Sequence, residues 1–335
     1  MVLLFDKSES IASPALVPGQ GDFELGGRPE LTVALVNNMP DSALKATERQ
    51  FMRLVQAAAG ETAVRFHCFA LPSVKRSLQA QSHIEKDYTD IAELSRLSID
   101  GLIVTGAEPI AEELSHEPFW PELSELIDWA KTNTRSAIWS CLAAHAAVLH
   151  LDGIERRRLP AKCSGIYDCV RSTEHWLTRG LPSPLKVAHS RLNALAEDDL
   201  TSRGYKILTR SERAGVDMFT RKFDSQFVFF QGHPEYDAHS LQREYMRDLA
   251  RYLAGEQNDY PAIPASYFDP PTEAQLSQFR EHAIVARTPT LAAELPGLTL
   301  RADIAAGLAA KIIFRNWIGF LAGETKAVQP AAQRR

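Results

Sequence analysis

Apolar positions along the chain fall into short continuous runs separated by stretches of helical period. LTVALVNN, residues 31–38, is one strand-length run. The stretch after it places Phe51, Leu54, Val55 and Ala58 at i, i+3, i+4 and i+7, the spacing of a helix with one buried face, with Gly60 as its stop. Further strands are expected at VRFHCFAL (64–71), IDGLIVTGA (99–107) and SAIWSC (136–141). WPELSELIDWAKTN carries Leu123, Leu126, Ile127 and Ala130 at helical spacing, and SAIWSC runs straight into LAAHAAVLHLDG, a helix closed by Gly153. Alternating strands and helices predict an α/β fold: a doubly wound, mostly parallel sheet with helices on both faces.

After residue 180 the pattern changes. LKVAHS, YKILTRS, VDMFTR and FVFFQG crowd together, which predicts antiparallel pairs extending the sheet. SLQREYMRDLARYLAG (240–255) then reads as a helix with Leu241, Tyr245, Leu249 and Tyr252 inward. Pro261, Pro264, Pro270 and Pro271 mark a turn-rich crossing to two terminal helical stretches. The expected organisation is a loose arm over 1–28, a main domain over 29–256, and a helical C-terminal extension over 257–335 packed on the same domain. No internal repeat is visible.

Composition narrows the function classes. The chain has 335 residues, 45% apolar and 24% charged, as in ordinary globular proteins. A net charge of −5 with scattered basic residues argues against a nucleic-acid partner, and Arg156–Arg158 reads as a solvated loop. Four cysteines (Cys68, Cys141, Cys163 and Cys169) form no zinc-like pair, so no metal site is expected. The N-terminus lacks the pattern of a secretory signal, and no stretch reaches the ~18 uninterrupted apolar residues of a membrane span. A cytoplasmic protein without membrane contact is expected.

Candidate chemistry begins at Cys141, where a buried strand meets a helix rich in small residues. A sharp strand–helix turn lifts a side chain out of the sheet edge, and the helix N-terminus favours a thiolate. The backbone N–H of Leu142 is positioned to meet an oxyanion, and Ala143 and Ala144 leave space for the turn. Taken alone, Cys141 fits a buried structural cysteine as well. The stretch FFQGHPEYD (229–237) changes the picture, because a strand there ends in His233 and Glu235, two residues apart around Pro234. In an extended segment such residues share a side, so a carboxylate can orient an imidazole that acts as general base. Cys141, His233 and Glu235 are the expected catalytic set.

With these motifs in hand, the sequence resembles the homoserine O-acyltransferases, in particular the homoserine O-succinyltransferase family, on a class I glutamine amidotransferase-like fold. The resemblance covers roughly residues 31–275, and its most specific piece is GHPEYDAHSLQREYMRD (232–248), supported by DGLIVTGA, LPAKCSGIYD and AHSR in order. It implies that Cys141 carries the acyl group, that His233 is the base and that Glu235 orients it. It further implies that Lys162, Ser190, Glu244 and Arg247 contact the amino-acid substrate, a role a guanidinium fork suits. The chain departs from the family pattern at Leu142 and His145, where Trp and Gln are usual. Its loop MPDSALKATE is longer, so Lys45 is not equated with a family lysine.

What the resemblance implies is a ping-pong transfer in methionine biosynthesis. An acyl-CoA serves as co-substrate with no bound cofactor, and L-homoserine is the acceptor. In this family the residue a few places after TGA separates donors, glutamate favouring acetyl-CoA and a small residue succinyl-CoA. Ala111, or Ile110 under an ungapped alignment, takes that slot, which points to succinyl-CoA. Acetyl-CoA is the alternative donor. A glutaminase or other amidase, and a non-catalytic module on the same fold, are readings of a different class. The oligomeric state is left open, a homodimer included.

Overall fold

The computed structural model describes residues 3–4, 31–302 and 308–324. Apart from residues 3–4, the expected arm over 1–28 lies outside the described residues, as do parts of the expected C-terminal extension. The chain divides into two compact units, Met1–Ala147 with Lys222–Val228 and Phe314–Arg335, and Val148–Arg221 with Phe229–Ile313.

In the first unit, strands β1 (Leu3–Leu4), β2 (Leu31–Val36), β3 (Val64–Phe69), β4 (Gly101–Val104) and β5 (Ser136–Ser140) lie in the order β1-β3-β2-β4-β5, every neighbour parallel. Every residue of β4 and β5 is buried, which is why both read as unbroken apolar runs rather than alternating ones. Helices α1 (Asp41–Ala59) and α3 (Trp120–Asn133) bury the faces expected of them, Phe51, Leu54, Val55 and Ala58 on one and Leu123, Leu126, Ile127 and Ala130 on the other. Fully burying each large apolar side chain contributes about 1.5–3 kcal/mol. Between β3 and β4 the chain forms α2 (Leu78–Asp87), capped by Ser77, whose hydroxyl accepts from the Ala80 N–H at 3.3 Å. The sequence pattern passes over α2 because Ala80 is its one buried residue.

Helix α4 (Leu142–Asp152) follows β5 directly and carries the chain into the second unit. There the sheet is antiparallel: β6 (Arg157–Arg171), β7 (Leu185–Ala194), β8 (Lys206–Ser211) and β9 (Gly215–Lys222) pair in the order β9-β8-β6-β7, with the short helix α5 (Glu197–Ser202) between β7 and β8. Arg157 and Arg158 therefore begin a strand instead of lying in a loop, and Lys162 stands on that strand too. A register shift between Arg158 and Cys163 breaks the period-two pattern there. Strand β10 (Gln226–Phe230) ends against β9, with the Gln231 N–H donating to the Asp217 carbonyl at 2.8 Å.

The core of the second unit forms where α6 (Ser240–Leu253) meets α7 (Pro270–Val285), through Leu241, Tyr245, Leu249, Leu276 and Phe279. The proline-rich crossing ends at α7 for a local reason. Asp269 caps the helix by accepting from the Thr272 N–H at 2.8 Å, and Pro270 and Pro271 fill first-turn positions that need no N–H. The terminal helix α8 (Leu308–Leu321) reaches the first unit at its C-terminal half, where the indole N–H of Trp317 donates to Ser136 Oγ at 2.9 Å. Among the described residues, no helix is long and apolar enough to cross a membrane.

Candidate active site

In the first unit the chain turns at Cys141 with no connecting loop: β5 ends at Ser140 and α4 begins at Leu142. The turn puts Cys141 at φ 52°, a left-handed conformation that L-residues adopt at a cost of ~1–3 kcal/mol and that concentrates at functional sites. Its carbonyl accepts from the Ala144 and His145 N–H groups at 3.0 and 3.3 Å, so the helical ladder starts at the cysteine itself. Cys141 is partly exposed between buried Ser140 and Leu142. Gly106, after β4, passes so close that a Cβ there would lie 2.5 Å from Leu142 Cβ and 3.0 Å from its backbone nitrogen. Only glycine fits against the N–H expected to meet an oxyanion. Asn38 ties the neighbouring strand ends together: its N–H donates to Thr105 Oγ1 at 2.8 Å, and its side-chain oxygen accepts from the Leu71 N–H at 3.1 Å.

In the second unit His233 and Glu235 do pair, His233 Nδ1 to Glu235 Oε1 at 2.9 Å, although the segment carrying them is a turn and not an extended strand end. The Tyr236 N–H donates back to the His233 carbonyl at 3.3 Å, and the Tyr236 ring stacks on the imidazole with centroids 4.1 Å apart. His233 and Glu235 are 6% and 8% exposed, so the pair is screened from bulk water. The His233 N–H donates to the Ala188 carbonyl on β7 at 2.8 Å. The carboxylate thus engages the Nδ1 side of the ring.

The four residues expected to contact the acceptor converge through two carboxylates of α6. Glu244 accepts from the hydroxyls of Ser190 and Tyr236, the latter at 2.5 Å, and lies 3.9 Å from Lys162 Nζ. Asp248, which sequence reasoning did not single out, accepts from Lys162 Nζ at 2.8 Å and from Arg247 Nε and Nη2 at 2.9 and 2.7 Å. Burial pushes the Asp248 carboxyl upward, but Lys162 and Arg247 outweigh it and hold the group below the usual carboxylate range. Tyr236, also missed, touches both His233 and Glu244 and so links the imidazole to this cluster. The cluster offers both signs of charge at a partly exposed surface, which suits a small zwitterion.

The segment after β4 that carries Ile110 and Ala111 is fixed by one buried side chain. Glu117 Oε1 accepts from the N–H groups of both residues at 2.8 Å. Ile110 is 68% exposed, and Glu108, Glu112 and Glu113 are exposed as well. Tertiary structure also brings Cys169, His189 and Asp217 together, with polar atoms within 4.8 Å of one another. All three are buried, at 0%, 0% and 2% exposure, so no substrate reaches that thiol. The positive Arg191 guanidinium on His189 further disfavours a cation there.

The chain is similar to several known proteins. A family model for homoserine O-succinyltransferase matches residues 27–327. A homoserine O-succinyltransferase of Bradyrhizobium japonicum is 62% identical over 96% of this chain and 99% of its own length. One from Rhodopseudomonas palustris is 55% identical over 97% of this chain and its whole length. Among solved structures, a glutamine amidotransferase from Thermotoga maritima covers 87% of this chain and 98% of its own at 14% identity and TM-score 0.48.

Proposed function

The chain belongs to the homoserine O-succinyltransferase family, and from that premise we propose that it moves the succinyl group of succinyl-CoA to the hydroxyl of L-homoserine through a thioester on Cys141. The observation that carries the reading is the turn at Cys141: a partly exposed thiol in left-handed conformation at the start of a helix, beside a backbone N–H that Gly106 leaves uncovered. In the first half-reaction the Cys141 thiolate bonds to the thioester carbonyl carbon, the Leu142 N–H steadies the oxyanion, and the bond to CoA sulfur breaks. CoA departs with the proton that the cysteine gave up. In the second, the homoserine hydroxyl attacks the acyl-enzyme, its proton passes to His233 Nε2, and Cys141 leaves carrying that proton. Glu235 holds the imidazole tautomer throughout.

Within this scheme Arg247 takes the homoserine carboxylate in a bidentate grip, and Glu244, with Lys162 and Ser190 around it, faces the ammonium end. The donor pocket is bounded by the Ile110–Ala111 segment, whose own two side chains carry no charge against the distal carboxylate of a succinyl group. CoA thioesters as donors fit a cytoplasmic setting. The test is release of CoA thiol from succinyl-CoA and acetyl-CoA, with and without homoserine, and ammonia release from glutamine as a control. Higher kcat/KM with succinyl-CoA, lowered by Ala111→Glu, is expected. A preference for acetyl-CoA would overturn the donor, and ammonia from glutamine without thiol release would overturn the reaction.

A further inference from the structure

We propose that Asp217, paired with His189 in the interior of the second unit, is a positioning residue that sets the placement and basicity of His233; this rests on the reading of His233 as general base. The observations concern the short segment between β10 and His233. The Gln231 N–H donates to the Asp217 carbonyl at 2.8 Å, and the His233 N–H donates to the Ala188 carbonyl at 2.8 Å. The N–H groups on either side of Gly232 are thus claimed by β9 and β7. Gly232 is pressed into that clamp: a Cβ would lie 2.6 Å from Asp217 Oδ1, 2.7 Å from Val187 and 3.0 Å from the Ala188 carbonyl. The segment has no room to shift while Asp217 stays in place.

Behind the clamp the polar groups form a chain with a definite direction. Arg191 Nε–H donates to His189 Nδ1 at 3.4 Å, which leaves the proton of the neutral imidazole on Nε2. That nitrogen faces Asp217 Oδ1 at 3.5 Å, while Asp217 Oδ2 accepts from the Thr209 hydroxyl at 2.7 Å. Burial, with Arg191 and His233 adding to it, holds His189 well below its ordinary pKa, so it stays neutral at physiological pH. Burial raises Asp217 to about 6, so above that pH it is an anion close enough for its charge to register on His233. The groups facing Asp217 are Cys169 on β6, His189 and Arg191 on β7, Thr209 on β8, and His233 itself. A carboxylate in that position favours the imidazolium, so removing its charge makes His233 a weaker base.

The experiment compares Asp217→Asn, Thr209→Val and His233→Asn in the full chain, reading melting temperature, kcat, homoserine KM and the pH profile of kcat. Asp217→Asn keeps the shape and one acceptor. It is expected to keep KM, lose kcat about tenfold, and move the acid limb of the profile down by about half a pH unit. Thr209→Val, which removes a donor to the carboxylate, moves both in the same direction by less and serves should Asp217→Asn not fold. An Asp217→Asn enzyme with wild-type kcat and profile overturns the proposal. So does one that loses stability and kcat together with an unmoved profile, because a merely structural role would do that. Turnover surviving in His233→Asn would instead sink the parent reading of His233, a separate failure.

Discussion

Cys141 and His233 each stand just beyond the end of a buried strand, yet they are held by opposite means. At Cys141 the backbone does the holding: a left-handed residue, a helix that begins one residue later, and Gly106 packed against Leu142. No side chain needs to grip the thiol. At His233 the holding is polar, through the Ala188 carbonyl, the Glu235 carboxylate, the Tyr236 ring and the buried groups around Asp217. The difference matches the two roles proposed for them. A nucleophile needs an exposed atom at a fixed point. A base needs a fixed tautomer and a tuned affinity for protons, which only neighbouring dipoles and charges supply.

The largest effect should come from Cys141→Ser, which keeps the backbone turn while exchanging a thiolate for a poor nucleophile. Turnover should fall by at least about three orders of magnitude with the melting temperature nearly unchanged. A large loss of stability would mean that the turn depends on the side chain, against the comparison. Next, Glu235→Gln keeps the shape of the orienting group and removes its charge. It should lower kcat by roughly one to two orders of magnitude with little change in homoserine KM. An unchanged rate would remove polar holding from the account of His233.

Arg247→Lys keeps the charge and loses the fork, so homoserine KM should rise about tenfold while CoA release from the donor survives. Equal damage to both half-reactions would show that Arg247 serves the fold through Asp248 instead. Gly106→Ala tests the steric side: the added methyl must displace Leu142, which should cost about 1–3 kcal/mol of stability and depress kcat with it. A neutral substitution would show that the Cys141 turn is not backed by Gly106.

The smallest effect concerns pH and the polar interior of the second unit. Burial, with Lys206 nearby, lowers His175 from 6.5 to about 4. Between those values the unfolded chain binds the extra proton and the folded one does not. Stability that is complete above pH 6.5 is therefore lost as pH falls toward about 4. Asp217, raised by burial to about 6, pulls the other way over part of that range, so the informative quantity is the difference between wild type and His175→Gln in thermal melts. The variant should show a shallower acid decline, and an identical one would refute the assignment.

How much of this could be read in the sequence follows the same division. The turn at Cys141 was legible because local signals make it: an unbroken apolar strand, then a cysteine, then small helix formers. His233 and Glu235 were legible as a pair, but the reasoning from an extended strand was wrong, since a turn fixed by Ala188 brings them together. Strand β6 was hidden by its register shift, and nothing in the spacing sets Asp248 apart from the other carboxylates of the chain. The group around Asp217 could not have been read. Its members lie on separate strands, and only the register of the antiparallel sheet makes them neighbours.

Peptide mapping after incubation with succinyl-CoA in the absence of homoserine decides whether Cys141 carries the acyl group. The carrier role predicts one succinyl group, on Cys141, discharged as O-succinylhomoserine when homoserine is added. A succinyl group on Cys68, Cys163 or Cys169, or no covalent adduct while turnover proceeds, would contradict it.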